Sequence, residues 1–171
     1  MTYSLRPARL ADSRAILQCL HESVHGADGA AAAYATEILD AWAPSVTDET
    51  VANFEGAARS SLGSEWHEIW VAEASGRVIG FSELWHNELL ALYVAQGFGK
   101  QGIGTALLSA AEHRARERGF HDIDTQSSLN ARPFYAGHGF HVIQEQAELV
   151  WSEGVRMTCV VMRKHLGGAG G

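Results

Sequence analysis

The sequence predicts a mixed α/β fold, an α+β arrangement in which helices flank one mixed sheet, and three observations carry that prediction. Apolar residues recur at helical spacing through 10–63 and again through 104–119. Runs rich in β-branched and aromatic residues fill 66–94 and 140–164. Helix and strand signals do not alternate in the repeated βαβ order of a wholly parallel sheet. The 171 residues suffice for one buried core, and 46% hydrophobic content is ordinary for a globular chain. No repeat or linker divides the chain. Residues 1–166 are read as one domain, and the glycine-rich tail 167–171 is expected to be disordered by composition.

The elements follow in order. YSLRPA (3–8) is a short strand ended by Pro7. In 10–26, Ile16, Leu17, Leu20 and Val24 mark a helix that Asp12 or Ser13 caps and Gly26 stops. Residues 27–33 are small and stay open between loop and helix start. YATEILDAWAP (34–44) is a second helix closed by Pro44, and 45–63 is a third, with Thr47 and Asp48 as cap candidates. Strands 66–74 and 77–86 form a hairpin through Ser75-Gly76. ELLALYV (88–94) is a strand too continuously apolar to leave one face in water. Leu107, Leu108, Ala111 and Ala115 form the apolar stripe of a helix over 104–119, with Gly119 as its C-cap. A strand at 120–126, a short helix at 130–139 and two strands, 140–151 and 155–164, complete the domain.

Composition excludes several roles. Net charge is −7 and no lysine/arginine cluster occurs, which disfavours nucleic-acid binding. An acidic chain instead weakly favours cationic or amine partners. Cys19 and Cys159 lack CxxC spacing, so neither a disulfide nor a metal site is expected. No apolar run approaches the roughly 20 residues of a membrane span, and the first residues carry no apolar leader. A cytoplasmic protein with no membrane partner is the expectation.

GFGKQGIG (97–104) follows the 88–94 strand directly. It is not a P-loop, because Ile103-Gly104 stands where Lys-Ser/Thr is required. GFGKQG matches GxGxxG literally, but the preceding hairpin is not the βαβ context of a dinucleotide fold. A plain turn is the bland alternative. The remaining reading is an anion site, because unpaired N–H groups and the dipole at a helix start hold phosphate without a basic side chain.

LYVAQGFGKQGIGTALL (92–108) resembles the acetyl-CoA-binding motif of the GCN5-related N-acetyltransferase (GNAT) superfamily. Gly99 stands where the family carries Gln or Arg. SLNARPFYAGHGFH (128–141) resembles a second family segment through Ala131, Phe134, Tyr135, Gly139 and Phe140, with Ser128 at the usual Asn position. YATEILDAWAP and the closing strands are similar to the bacterial YafP-like subgroup. The resemblance implies the GNAT fold, a central mostly antiparallel sheet with a splayed parallel pair. It also implies acetyl-CoA as co-substrate, held by Leu92, Tyr93, Val94, Gly99, Lys100, Gln101, Gly102, Ile103, Gly104, Thr105, Ser128, Asn130, Phe134 and Tyr135.

Acetyl transfer to an amine needs a base, an oxyanion donor and an acid for the leaving thiolate. The resemblance implies Tyr135 as the acid and the N–H of Tyr93 or Val94 as the oxyanion donor. It places the base at Glu88, six residues before Val94. Simple alternation puts Glu88 on one strand face with Leu90, Leu92 and Val94. Glu83, His86 and His67 are rival bases. Tyr34, Trp42 and Trp85 are candidate substrate contacts, with His25, Trp66 and Trp151 nearby in the same reading. The expected reaction is transfer to a small-molecule primary amine. Protein N-terminal or lysine acetylation, and a non-catalytic acyl-CoA-binding module, are the alternatives. Dimers are common in the superfamily, so a homodimer is possible.

Overall fold

In the computed structural model, residues 2–27, 29–61, 64, 66–152 and 154–167 are described, and the tail 168–171 lies outside them. The described strands are β1 (Ser4–Pro7), β2 (His67–Ala74), β3 (Arg77–Trp85), β4 (Glu88–Val94), β5 (Asp122–Ser128), β6 (His141–Ser152) and β7 (Val155–His165). The helices are α1 (Ser13–His25), α2 (Thr36–Trp42), α3 (Asp48–Ser61), α4 (Ile103–Glu117) and α5 (Arg132–Gly137). Short 3-10 turns occupy Leu10–Asp12 and Ala30–Ala32. The second of these falls within the small-residue segment 27–33, of which Asp28 lies outside the described residues.

The strands form one sheet in the order β1-β2-β3-β4-β5-β7-β6. The β4–β5 neighbours are parallel and the other pairs antiparallel. The β2–β3 turn places both Ser75 and Gly76 at positive φ, 49° and 77°, the conformation of a two-residue hairpin. Strand β5 begins two residues later than expected and runs on through Ser128. At the start of α1, the Asp12 carboxylate does not cap the helix. It accepts the Arg9 N–H at 2.7 Å and pairs with the Arg6 guanidinium instead. Thr47 does cap α3, accepting the Thr50 N–H at 3.2 Å.

Helices cover both sheet faces. On one, Leu107, Leu108, Ala111 and Ala115 of α4 pack on Leu84, Leu89, Ile123, Val160, Met162 and Ile79. On the other, Ile16 and Cys19 of α1 pack on Ile69, Val71 and Phe81, while Leu39 and Trp42 of α2 pack near Val24 and Met157. Each large side chain buried in this way contributes roughly 1.5–3 kcal/mol.

Strand β4 departs from simple alternation. Its ladder with β3 runs regularly from Val94 opposite Gly80 to Ala91 opposite Glu83. It then shifts by one residue, so that Leu89 faces Leu84 and Glu88 faces Trp85. Leu90 is the extra residue and is 43% exposed. The bulge reverses the expected facing: Glu88 lies with Ala91 and Tyr93, toward α1, and not with Leu92 and Val94, toward α4. The strand is also less covered than its apolar run implied. Leu89 is buried, whereas Glu88 and Ala91–Val94 are half-buried.

Strands β4 and β5 pair only at Glu88–Asp124 and Leu89–Thr125. At that last pair the Thr125 hydroxyl donates to the Leu89 carbonyl at 2.9 Å, a side-chain bond where the backbone ladder ends. From Leu90 onward the β5-facing edge of β4 has no strand partner.

Gly80 sets how closely α4 approaches the sheet. A Cβ there would lie 3.0 Å from Ile103, 3.1 Å from Leu107 and 3.1 Å from the Tyr93 carbonyl. Gly80→Ala is therefore expected to cost about 1–3 kcal/mol through overpacking. Urea unfolding measures this, and an unchanged midpoint would show that α4 does not depend on the close approach.

Candidate active site

The glycine-rich segment enters α4 through backbone geometry. Gly102 takes φ +80° at the N-cap, a left-handed conformation that favours glycine, and no side chain caps the helix. The first helical bond runs from the Ala106 N–H to the Gly102 carbonyl at 2.9 Å. The N–H groups of Ile103, Gly104 and Thr105 therefore have no intrahelical acceptor. The Ile103 side chain is buried among Ala72, Ile79 and Leu107 and fixes the helix end in place. The Gln101 amide donates to the Gly97 carbonyl at 3.2 Å and braces the loop.

This helix end borders a cavity of about 350 Å³ lined by Val94, Gly99, Lys100, Gly102, Gly104, Thr105, Phe134 and His138, among others. Among the described residues that line it, none is acidic. Uncommitted N–H groups, a positive helix end and one lysine fit a phosphate-bearing ligand.

A second cavity, of about 450 Å³, lies on the other side of β4. Its walls come from α1 (Leu17, Leu20), α2 (Trp42), α3 (Phe54) and the sheet (Phe81, Leu90, Tyr93, Met157). Glu83 and Glu88 are its charged residues, and no described lining residue is cationic. Glu83 accepts from His67 Nε2 at 2.6 Å, and Glu88 accepts from the Gln126 amide at 3.1 Å. The Tyr93 hydroxyl accepts the Trp42 indole N–H at 2.8 Å, and burial raises its pKa.

The two cavities share a wall made of Ser23, Leu92, Ala131 and Tyr135. Burial pushes the Tyr135 hydroxyl up to about 12, against a smaller opposing pull from Thr125. It therefore keeps its proton throughout the neutral range. The free edge of β4 adds backbone donors. Ala95 donates its N–H to Ile79 at 2.9 Å in continuation of the β3 ladder. Antiparallel alternation then turns the Tyr93 N–H toward β3 and those of Leu92 and Val94 toward the open edge. Of the two oxyanion candidates, Tyr93 is thus committed within the sheet, while Val94 is free, as is Leu92.

The remaining candidates divide. Gly99, Lys100, Gly102, Gly104, Thr105 and Phe134 line the smaller cavity. Ile103 and Gln101 do not, and act through backbone and loop. Ser128 and Asn130 line the larger cavity. Trp42 lines it too, but Tyr34 does not: its hydroxyl donates to Thr158 at 2.8 Å and accepts the Leu129 N–H at 2.7 Å, tying α2's approach to β7. Trp85 is 53% exposed and outside both cavities. Trp66 stacks on His86 away from the site, His25 binds the Ala43 carbonyl, and the side chain of Trp151 lies outside the described residues. Phe54, Leu90, Gln126, Met157 and His138 belong to the walls without having been singled out from sequence.

Residues 39–161 match the family model described as an acetyltransferase (GNAT) domain. No curated protein sequence matches the chain. Among solved structures, a GCN5-related N-acetyltransferase from Rhodopseudomonas palustris is 27% identical, with a TM-score of 0.83 over 96% of each chain. The PaiA N-acetyltransferase of Thermoplasma acidophilum, solved with coenzyme A, is 24% identical with a TM-score of 0.72, over 96% of this chain and 99% of its own. A putative acetyltransferase of Salmonella typhimurium, yncA, solved with acetyl-CoA, is 22% identical with a TM-score of 0.66, over 100% of this chain and 98% of its own. None of these three is described as YafP-like. The family model covers more than half of the chain: the protein belongs to the GNAT acetyltransferase family.

Proposed function

We propose that the protein transfers acetyl from acetyl-CoA to the primary amine of a small molecule, by direct attack in a ternary complex. The observation that carries this reading is the junction at Tyr135. An anion-accepting cavity and a carboxylate-bearing cavity meet there at a buried, protonated phenol. Two of the structural relatives are solved with coenzyme A or acetyl-CoA, which supports acetyl-CoA as the co-substrate.

When bound, acetyl-CoA supplies a thioester open to attack by nitrogen. The backbone of Ile103–Thr105 and Lys100 hold its phosphates. The N–H groups of Leu92 and Val94 donate along the parted edge, where developing negative charge on a carbonyl oxygen is stabilised. Glu88 takes the proton of an incoming ammonium, and Gln126 orients the carboxylate by donating to one of its oxygens. Tyr135 holds a proton for the departing sulfur.

The acceptor cavity is walled by residues of four helices, α1, α2, α3 and α5, as well as the sheet, which favours a small molecule over a protein chain. Its polarity narrows the class further. Two carboxylates and no cation among the described lining residues suit an amine that carries no carboxylate. An amino-acid acceptor would leave its own carboxylate unpaired in an apolar site, at a cost of several kcal/mol.

Release of free thiol from acetyl-CoA is expected with simple alkyl- or arylalkylamines and at least tenfold less with the corresponding amino acids. Equal rates on both would contradict the acceptor class. CoA binding without turnover on any amine would favour a non-catalytic binding module. Tyr135→Phe is expected to lower kcat roughly 100-fold or more while leaving CoA affinity within about twofold. Because Tyr135 stays protonated up to about pH 12, the wild-type pH–rate profile should show no tyrosine-dependent fall between pH 7 and 10. A Tyr135→Phe variant with wild-type kcat would remove Tyr135 as the acid. Glu88→Gln should lower kcat roughly 100-fold or more, and unchanged turnover would move the base to Glu83 or His67.

A further inference from the structure

We infer that His138 is a proton-coupled positioning residue for the phosphates of CoA, acting through the hydroxyl of Thr105. The inference rests on the proposed placement of CoA at the α4 end.

The hydrogen bonds of His138 define its tautomer. Nδ1 lies 2.8 Å from the Phe134 carbonyl. A carbonyl only accepts, so Nδ1 carries a proton. Nε2 lies 3.0 Å from Thr105 Oγ1. In the neutral ring Nε2 is bare and accepts the Thr105 hydroxyl proton. Thr105 then presents only oxygen lone pairs to the cavity, which repel a phosphate oxygen. Once the ring is protonated, Nε2–H donates to Thr105 Oγ1. The hydroxyl proton is released and turns to the anion, joining the uncommitted N–H groups of Ile103, Gly104 and Thr105. One proton on the ring thus reverses the polarity of a hydroxyl at the third residue of α4 and adds a positive charge beside the phosphate site.

The surroundings leave an anion as the partner for that charge. From the glycine-rich loop, Lys100 lines the same cavity. From α5, the neighbours are the Phe134 ring, 4.3 Å between centroids, and Tyr135. Arg132 of the same helix is paired with Glu145. On β7, Lys164 passes beside Gly139, but its ammonium is committed to Glu112 of α4 at 2.6 Å. His67, His113 and His165 each face a carboxylate, Glu83, Glu117 and Asp122 respectively. No described acidic residue lines the His138 cavity. A phosphate occupying the site would attract the positive charge of a protonated His138 ring. The two events are thermodynamically linked, and CoA binding raises the affinity of the ring for its proton.

The sign follows from linkage. A pKa higher in the bound than in the free state means that CoA binds more tightly as pH falls through that interval, with the full gain below the free-state pKa. The test titrates the His138 ring by NMR with and without CoA, alongside calorimetric CoA binding between pH 5.5 and 8.5 in buffers of different ionisation heat. CoA is expected to raise the His138 pKa by about one unit, equivalent to roughly tenfold tighter binding to the protonated protein. His138→Asn should lose that component, leaving only the pH dependence intrinsic to CoA; Thr105→Val should lose the part carried by the hydroxyl, and Thr105→Ser should restore it. An unshifted His138 resonance, or equal pH dependence in the wild type and His138→Asn, would overturn the coupling. Full coupling retained in Thr105→Val would overturn the route through the hydroxyl. Absence of CoA binding to the wild type at every pH would overturn the placement of CoA itself, and the inference with it.

Discussion

The separation of β4 from β5 after two residue pairs is the constraint on which the rest of the site depends. A parallel ladder continued to Val94 would consume the N–H groups of Leu92 and Val94 and close the wall between the two cavities. Three local features maintain the opening. The Leu90 bulge shifts the β3 ladder by one residue, Thr125 takes the Leu89 carbonyl with its side chain, and Tyr135, bonded to Thr125, lines both cavities. Backbone that would otherwise be hidden in a sheet is thereby left open to a ligand.

Charge is divided across the same opening. Positive potential on the α4 side comes from backbone N–H groups, the helix end and Lys100. Negative charge on the α1 side comes from Glu83 and Glu88. This division suits a reaction between an anionic cofactor and a cationic acceptor, because each reactant is attracted to its own cavity and disfavoured in the other. Gly80 links the division to the fold, since the position of the α4 end depends on how closely that helix rests on β3.

Much of this was legible in the sequence, and the reasons for success and failure are specific. The Ser75-Gly76 hairpin and the amphipathic α4 follow from local chemistry, and the structure reproduces them. The parallel pair and the cofactor loop came from the family resemblance. The bulge was invisible because ELLALYV is apolar in either register, so alternation assigned Glu88 to the wrong face. The aromatic candidates part company for a related reason. Composition cannot distinguish a wall such as Trp42 from a brace such as Tyr34 or an exposed ring such as Trp85. His138 was hidden among nine histidines, and only its two hydrogen bonds set it apart.

We propose that the parted β4 edge and the α4 end together hold CoA. Residue-resolved amide hydrogen exchange, with and without CoA, tests it most directly. The account predicts that CoA slows exchange at Leu92, Val94 and Ile103–Thr105 while Tyr93, already bonded within the sheet, is unchanged. Binding that leaves the Leu92 and Val94 amides unprotected would contradict it.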